Sequence, residues 1–209
     1  MRSGQSIAPQ KLTFVLGGAR SGKSAYAQAS AEAAGAEAAG AVAAAAPAMA
    51  TPVMIVTAQA FDAEMSDRIA RHRADRGDRW RTVEAPLDLA AAVDALAPGD
   101  VAVIDCLTLW LTNLILGGND VVAARDGLLA ALARTPARLW VVSNEVGLGI
   151  VPDNALSRRF RDEAGRLHQA LAARADEVVL LVAGLPLTVK PRSETDPIPP
   201  AIVGADSAP

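Results

Sequence analysis

Gly17, Gly22, Lys23 and Ser24 carry the first chemical signal in this chain: they fit G-x-x-x-x-G-K-[ST], the phosphate-binding loop. Glycines at such positions let the backbone turn tightly. The N–H groups of Gly17, Gly18, Ala19, Arg20, Ser21 and Gly22 can then point at phosphate oxygens. Lys23 would reach the β- and γ-phosphates, and the Ser24 hydroxyl would ligate Mg²⁺. A helix opening near Ser24 would add its partial positive charge. An apolar run at Leu12 to Leu16 precedes the loop and helix formers at Ala25 to Ala34 follow it, which is the order this motif requires. A glycine-rich turn with a chance lysine would lack that order, so the stretch predicts a nucleotide-binding protein.

Three further groups stand at suggestive places. Asp105 ends the apolar run Val101 to Ile104, and a carboxylate so placed is the second part that a phosphate-loop enzyme uses to hold Mg²⁺. Ser143, Asn144 and Glu145 follow a strand at Leu139 to Val142, where open α/β sheets place ligands. Within Phe61 to Arg76, residues Glu64, Arg68 and His72 are four apart and share one helical face. Taken by its residues alone, that helix reads as a solvated charged surface.

The elements that must position these groups alternate strand and helix. After the loop and first helix, Gly35 to Pro52 is an alanine-rich run, expected as a helix extension followed by a surface loop. Strands are expected at Val53 to Thr57, in a short piece from Trp80 ending at Glu84, and at Val101 to Ile104, Leu139 to Val142 and Val178 to Val182. Helices are expected at Leu87 to Leu96, Leu107 to Leu116, Ala123 to Ala133 and Asn154 to Ala173. The alternation predicts an α/β fold, a P-loop (RecA-like) mostly parallel sheet with helices on both faces and ligands along its carboxyl edge. Residues 11–190 are expected to form this single domain, with a loose lead-in at 1–10 and a disordered tail at 191–209.

The 209 residues are 51% hydrophobic but only 3% aromatic, so Val, Leu, Ile and Ala must build the core. A net charge of −3 offers no basic field for nucleic acid. Cys106 is the only cysteine, which excludes an internal disulfide and fits a reducing compartment. No secretory pattern or membrane-length apolar run is evident, so a soluble, cytoplasmic protein is expected.

Several stretches together resemble one family: GGARSGKS at 17–24, DAEMSDRIARHRADR followed by WRTVEAP, IDCLTLWLTNL at 104–114, SNEVGLGIVP at 143–152, RRFRDEAGRLHQ at 158–169 and the closing GLPLTVK. The chain is identified by them as a member of the bifunctional adenosylcobinamide kinase / adenosylcobinamide-phosphate guanylyltransferase family of cobalamin biosynthesis. The resemblance covers about Leu12 to Lys190.

It implies two reactions, with adenosylcobinamide and its phosphate as partners and GTP and ATP as substrates alongside Mg²⁺. A nucleoside triphosphate phosphorylates the aminopropanol hydroxyl of adenosylcobinamide. A histidine is then guanylylated by GTP and hands GMP to the cobinamide phosphate. The family's R-I-x-x-H motif puts that nucleophile at His72, which reverses the surface reading of the 61–76 helix, with Lys23 as catalytic partner. The resemblance further implies a guanine-nucleotide site drawing on Thr57, Ala58, Gln59, Arg73, Ala74, Asp75, Arg76, Glu84 and Asp105. It also implies a homo-oligomer such as a trimer, to which the apolar 107–116 segment could lend contact area.

The chain departs from the family pattern in its longer lead-in and tail, in the alanine-rich insertion at 35–52, and at His168, where asparagine is common. His168 is read either as a tolerated polar swap or as a functional difference. Cys106, Trp110 and Trp140 are read as packing residues. The arginines at 158–166 either meet a substrate phosphate or form a solvated face. Two other functions compete with the family reading. A single-activity small-molecule kinase would use the loop without His72, and a nucleotide-dependent switch would bind without turnover.

Overall fold

A computed structural model describes residues 12–41, 51–59 and 79–191. The segment carrying His72, Arg73, Ala74, Asp75 and Arg76 lies outside the described residues, as do the lead-in and the tail.

Seven strands form one sheet in the order β3-β2-β4-β5-β1-β6-β7. They are β1 (Leu12–Gly17), β2 (Val53–Val56), β3 (Arg81–Glu84), β4 (Val101–Asp105), β5 (Arg138–Val142), β6 (Glu177–Val182) and β7 (Leu185–Lys190). All neighbours pair in parallel except β6 with β7. The helices are α1 (Lys23–Ala41), α2 (Leu89–Asp94), α3 (Leu107–Leu116), α4 (Val121–Arg134) and α5 (Ala155–Arg174).

Alternation along the central strands builds two cores. Phe14, Ile55, Ile104 and Val141 face one side, against α2 to α5. Val15, Met54, Val103 and Val142 face the other, against Tyr26, Ala27, Ala31 and Ala34 of α1. Strands covered on both faces must be apolar at successive positions, which is why these read as continuous runs rather than alternating ones. Helix ends are tied locally: Asp120 accepts from the N–H groups of Val122 and Ala123, and Asn154 from that of Ser157. At the other end of α5, the Lys190 ammonium donates to the carbonyls of Ala172, Ala173 and Ala175.

The expected helix extension is present: α1 starts at Lys23 and runs to Ala41, alanine's helix preference carrying it through Gly35 and Gly40. Two expectations need correction. Helix α2 is shorter than Leu87 to Leu96. The sheet also has a strand beyond Val182: β7 folds back antiparallel through Ala183 (φ 50°) and Gly184 (φ 81°), the paired positive angles of a tight hairpin turn. Pro186 is accommodated because β7 is an edge strand. The apolar segment at 107–116 is buried inside the chain, with Leu107, Trp110, Leu111, Leu114 and Ile115 all in the core, so it offers little contact area to a partner. Among the described residues, no helix is long and apolar enough to cross a membrane.

Candidate active site

The phosphate loop emerges from the centre of the sheet between the exits of β5 and β6. Gly17 has φ 153°, and a Cβ there would stand 2.5 Å from both the Leu181 carbonyl and Ser21 Oγ, so only glycine fits. Gly22 (φ 93°) and Arg20 (φ 55°) supply the remaining left-handed turns. The N–H of Gly184, in the β6–β7 turn, donates to the Ser21 carbonyl at 3.0 Å, so the hairpin braces the loop from outside.

Lys23 is buried and curls over this loop. Its ammonium donates to the Gly18 carbonyl at 2.5 Å and lies 3.4 Å from Ser21 Oγ. Burial pulls its pKa below the usual lysine value, while the nearby Asp105 carboxylate opposes that shift. Ser24 follows on the first turn of α1. Asp105, at the end of β4, is thus near enough to Lys23 to act on its charge.

The exits of the neighbouring strands are locked together by buried polar groups. Thr57 Oγ1 accepts from the Cys106 N–H at 2.9 Å and donates to the Cys106 carbonyl at 2.7 Å. The Thr57 N–H donates to the Asp105 carbonyl. The Asn113 amide donates to the carbonyls of Thr57 (2.8 Å) and Pro86 (3.0 Å), joining α3 to the exits of β2 and β3. Asn144 donates to Thr108 Oγ1, which sits 3.0 Å from Cys106 Sγ. The Thr57 hydroxyl is therefore spent on the floor of the site. Asn113 is one of three polar residues in LTLWLTNLIL, with Thr108 and Thr112, and was not singled out from the sequence. Replacing it with alanine would strand two buried carbonyls, with an expected loss of about 2–3 kcal/mol in chemical denaturation.

Ala58 and Gln59 follow β2 directly, part-buried on the same edge of the sheet. Glu84 also ends a strand at that edge, but β2, β4 and β5 separate it from the phosphate-loop strand. The sequence reading did not name a role for the pair that follows β5. Ser143 Oγ, fully buried, lies 2.7 Å from His168 Nε2 of α5. The imidazole packs tilted against Phe14, centroids 5.5 Å apart, and burial lowers its pKa despite the Glu145 carboxylate 4.0 Å away. His168 is thus a buried hydrogen-bonding link between α5 and the β5 exit.

Cys106, Trp110 and Trp140 are buried, as expected of packing residues. Burial also raises the Cys106 thiol pKa, which keeps it in the unreactive protonated form. Of the α5 arginines, Arg158 donates to the Pro152 and Asp153 carbonyls, Arg161 pairs with Asp162 and Arg166 with Glu163. These contacts are local, as on a solvated helix face.

The family model described as cobinamide kinase / cobinamide phosphate guanyltransferase matches residues 13–189. The chain belongs to this family. It is 49% identical over 180 residues to the bifunctional adenosylcobalamin biosynthesis protein CobP of Pseudomonas aeruginosa, a match spanning 85% of this chain and 96% of that one. It is 40% identical over 195 residues to the bifunctional adenosylcobalamin biosynthesis protein CobU of Salmonella typhimurium, spanning 86% of this chain and 99% of that one. A solved ATPase from the type III secretion system of pathogenic bacteria aligns with 82% of this chain and 51% of its own, at 11% identity and a TM-score of 0.42. In this family member the matched residues take in every described strand and helix except the first residue of β1 and the last of β7.

Proposed function

We propose that this chain is a bifunctional transferase that phosphorylates adenosylcobinamide and then guanylylates the product. The observation that carries the reading is a family match running through a phosphate loop whose lysine, Lys23, is folded into the loop it serves.

In the first reaction the substrate hydroxyl attacks the γ-phosphorus of a nucleoside triphosphate and the nucleoside diphosphate departs. In the second, His72 attacks the α-phosphorus of GTP and pyrophosphate leaves. The cobinamide phosphate then takes GMP from the histidine, giving adenosyl-GDP-cobinamide. Splitting the transfer through a phosphoramidate divides one hard displacement into two easier ones. Lys23 and the loop amides meet the charge that builds on the departing phosphates in both reactions. For the guanine nucleotide, Ala58, Gln59, Arg73, Ala74, Asp75, Arg76, Glu84 and Asp105 are assigned to the site on the family resemblance, with Thr57 bracing it. Glu84 suits the role chemically, because a carboxylate can accept from the guanine N1–H and 2-amino groups.

The donors at the loop suit Mg²⁺: the Ser24 hydroxyl and the Asp105 carboxylate are hard oxygens, and Mg²⁺ commonly uses only one or two protein ligands beside phosphates and water. Bound there, the ion would supply neutralisation of phosphate charge. A cytoplasmic location fits a pathway fed by nucleoside triphosphates. The exposed apolar row Leu185, Leu187 and Val189 on edge strand β7 supports association into a homo-oligomer.

The test is to incubate the protein with adenosylcobinamide and GTP labelled at the α- or the γ-phosphate. Acid-labile, base-stable protein label is expected from the α position only, and mass analysis should find both cobinamide phosphate and the GDP-linked product. Label from the γ position alone would favour the single-activity kinase instead.

A further inference from the structure

The first reaction releases a proton from the attacking hydroxyl, and none of the roles assigned so far takes it up. Resting on the kinase half of the function proposed above, we infer that Glu145 is the catalytic residue that accepts this proton.

The placement comes from the sheet. Strand β5 runs between β4, which ends at Asp105, and β1, which leads into the phosphate loop. Parallel pairing continues past the end of β5: the Ser143 N–H donates to the Val15 carbonyl, and the Glu145 N–H donates to the Gly17 carbonyl, both at 3.0 Å. Glu145 is thereby fixed beside the first residue of the phosphate loop, on the side facing Asp105. Among the described residues, the carboxylates that end the other strands at this edge are committed or remote. Asp105 offsets the buried Lys23 and is assigned to the metal, and Glu84 stands on the far edge strand.

The carboxylate itself is held and still available. Oε1 accepts from the Gly147 N–H, which fixes the side chain against its own turn. Oε2 lies 4.0 Å from His168 Nδ1, beyond hydrogen-bond distance, and the side chain keeps 25% of its surface open. His168 is anchored from behind by Ser143 and is kept uncharged by burial. Ser143 cannot act as a nucleophile with this histidine, because its hydroxyl has no surface to meet a substrate.

The step balances as follows. The substrate oxygen forms a bond to the γ-phosphorus, and the bond to the bridging oxygen breaks, its electron pair leaving with the nucleoside diphosphate. The hydroxyl proton passes to Glu145 Oε2 and from there to water. The guanylyl step on a neutral imidazole involves no such hydroxyl, so Glu145 has no part in it.

Glu145→Gln is the discriminating variant, since its amide oxygen can still accept from Gly147 yet cannot take a proton. In the full chain it is expected to phosphorylate adenosylcobinamide about a hundredfold more slowly or worse. Labelling from α-labelled GTP should stay within about threefold of the parent, as should nucleotide affinity. Glu145→Asp, which keeps a carboxylate, should recover part of the lost kinase rate. A kinase loss in Glu145→Gln that does not exceed the labelling loss by about tenfold would overturn the inference, as would equal rates for the Gln and Asp variants. If the parent itself transfers no γ-phosphoryl group to adenosylcobinamide, the kinase reading fails first, which is a different result.

Discussion

His72→Ala is expected to abolish covalent capture of GMP while phosphorylation of adenosylcobinamide continues near the parental rate. Only the second reaction uses a protein nucleophile. An imidazole has an ordinary pKa of about 6.5, so near neutrality it is largely uncharged and carries a free lone pair. Alanine offers nothing in its place, and loss of a covalent nucleophile costs on the order of a thousandfold or more. In the kinase reaction the nucleophile is the substrate's own hydroxyl, so that rate should fall by no more than about threefold. Paired assays with α- and γ-labelled GTP measure the two rates separately. Protein label surviving in His72→Ala would remove the guanylylation scheme. A parallel collapse of the kinase rate would make His72 a residue the fold needs rather than a nucleophile.

Much of the architecture was legible because parallel strands buried on both faces leave continuous apolar runs, and each of these is bounded by a breaker or a polar exit. Val101 to Ile104 and Leu139 to Val142 were located to within one residue for that reason, each ending in a polar exit. Strand β7 was missed for the converse one: Leu185, Leu187 and Val189 alternate outward on an edge, Pro186 interrupts the run, and the turn uses Ala183 where a glycine or asparagine would have signalled it. The site divides in the same way. A phosphate loop is local in sequence, so its spacing alone specifies it. The network of Thr57, Cys106 and Asn113, and the pairing of Ser143 with His168, join residues 25 to 56 positions apart, and such contacts leave no period to detect. The asparagine-to-histidine departure at 168 was visible, but its partner could be known only once α5 lay against the exit of β5.

Lys23→Met should silence both reactions at once, in contrast to His72→Ala, and should do so without unfolding the protein. Each reaction builds negative charge on a departing phosphate group, and a preorganised cation aimed at such charge is worth about a hundred- to a thousandfold in rate. The same cation detracts from the resting fold. Buried beside the loop, it donates to the Gly18 carbonyl and Ser21 Oγ, yet its lowered pKa records that burial disfavours the charged form. With the folded value below the unfolded one, the unfolded state holds the proton more tightly. The charge therefore opposes stability at neutral pH, and the opposition fades only as pH rises toward the ordinary lysine value. Methionine keeps most of the aliphatic packing and removes the charge, so nucleotide-free stability should match the parent within about 1 kcal/mol or exceed it. The difference appears when GTP is added. The parent gains about 2.7 kcal/mol at a hundredfold excess over its Kd, and Lys23→Met should gain far less at the same concentration. Thermal unfolding with and without nucleotide reads both effects. A variant that melts well below the parent without GTP would mean that Lys23 holds the loop together, and its loss of activity would then say nothing about charge at the phosphates.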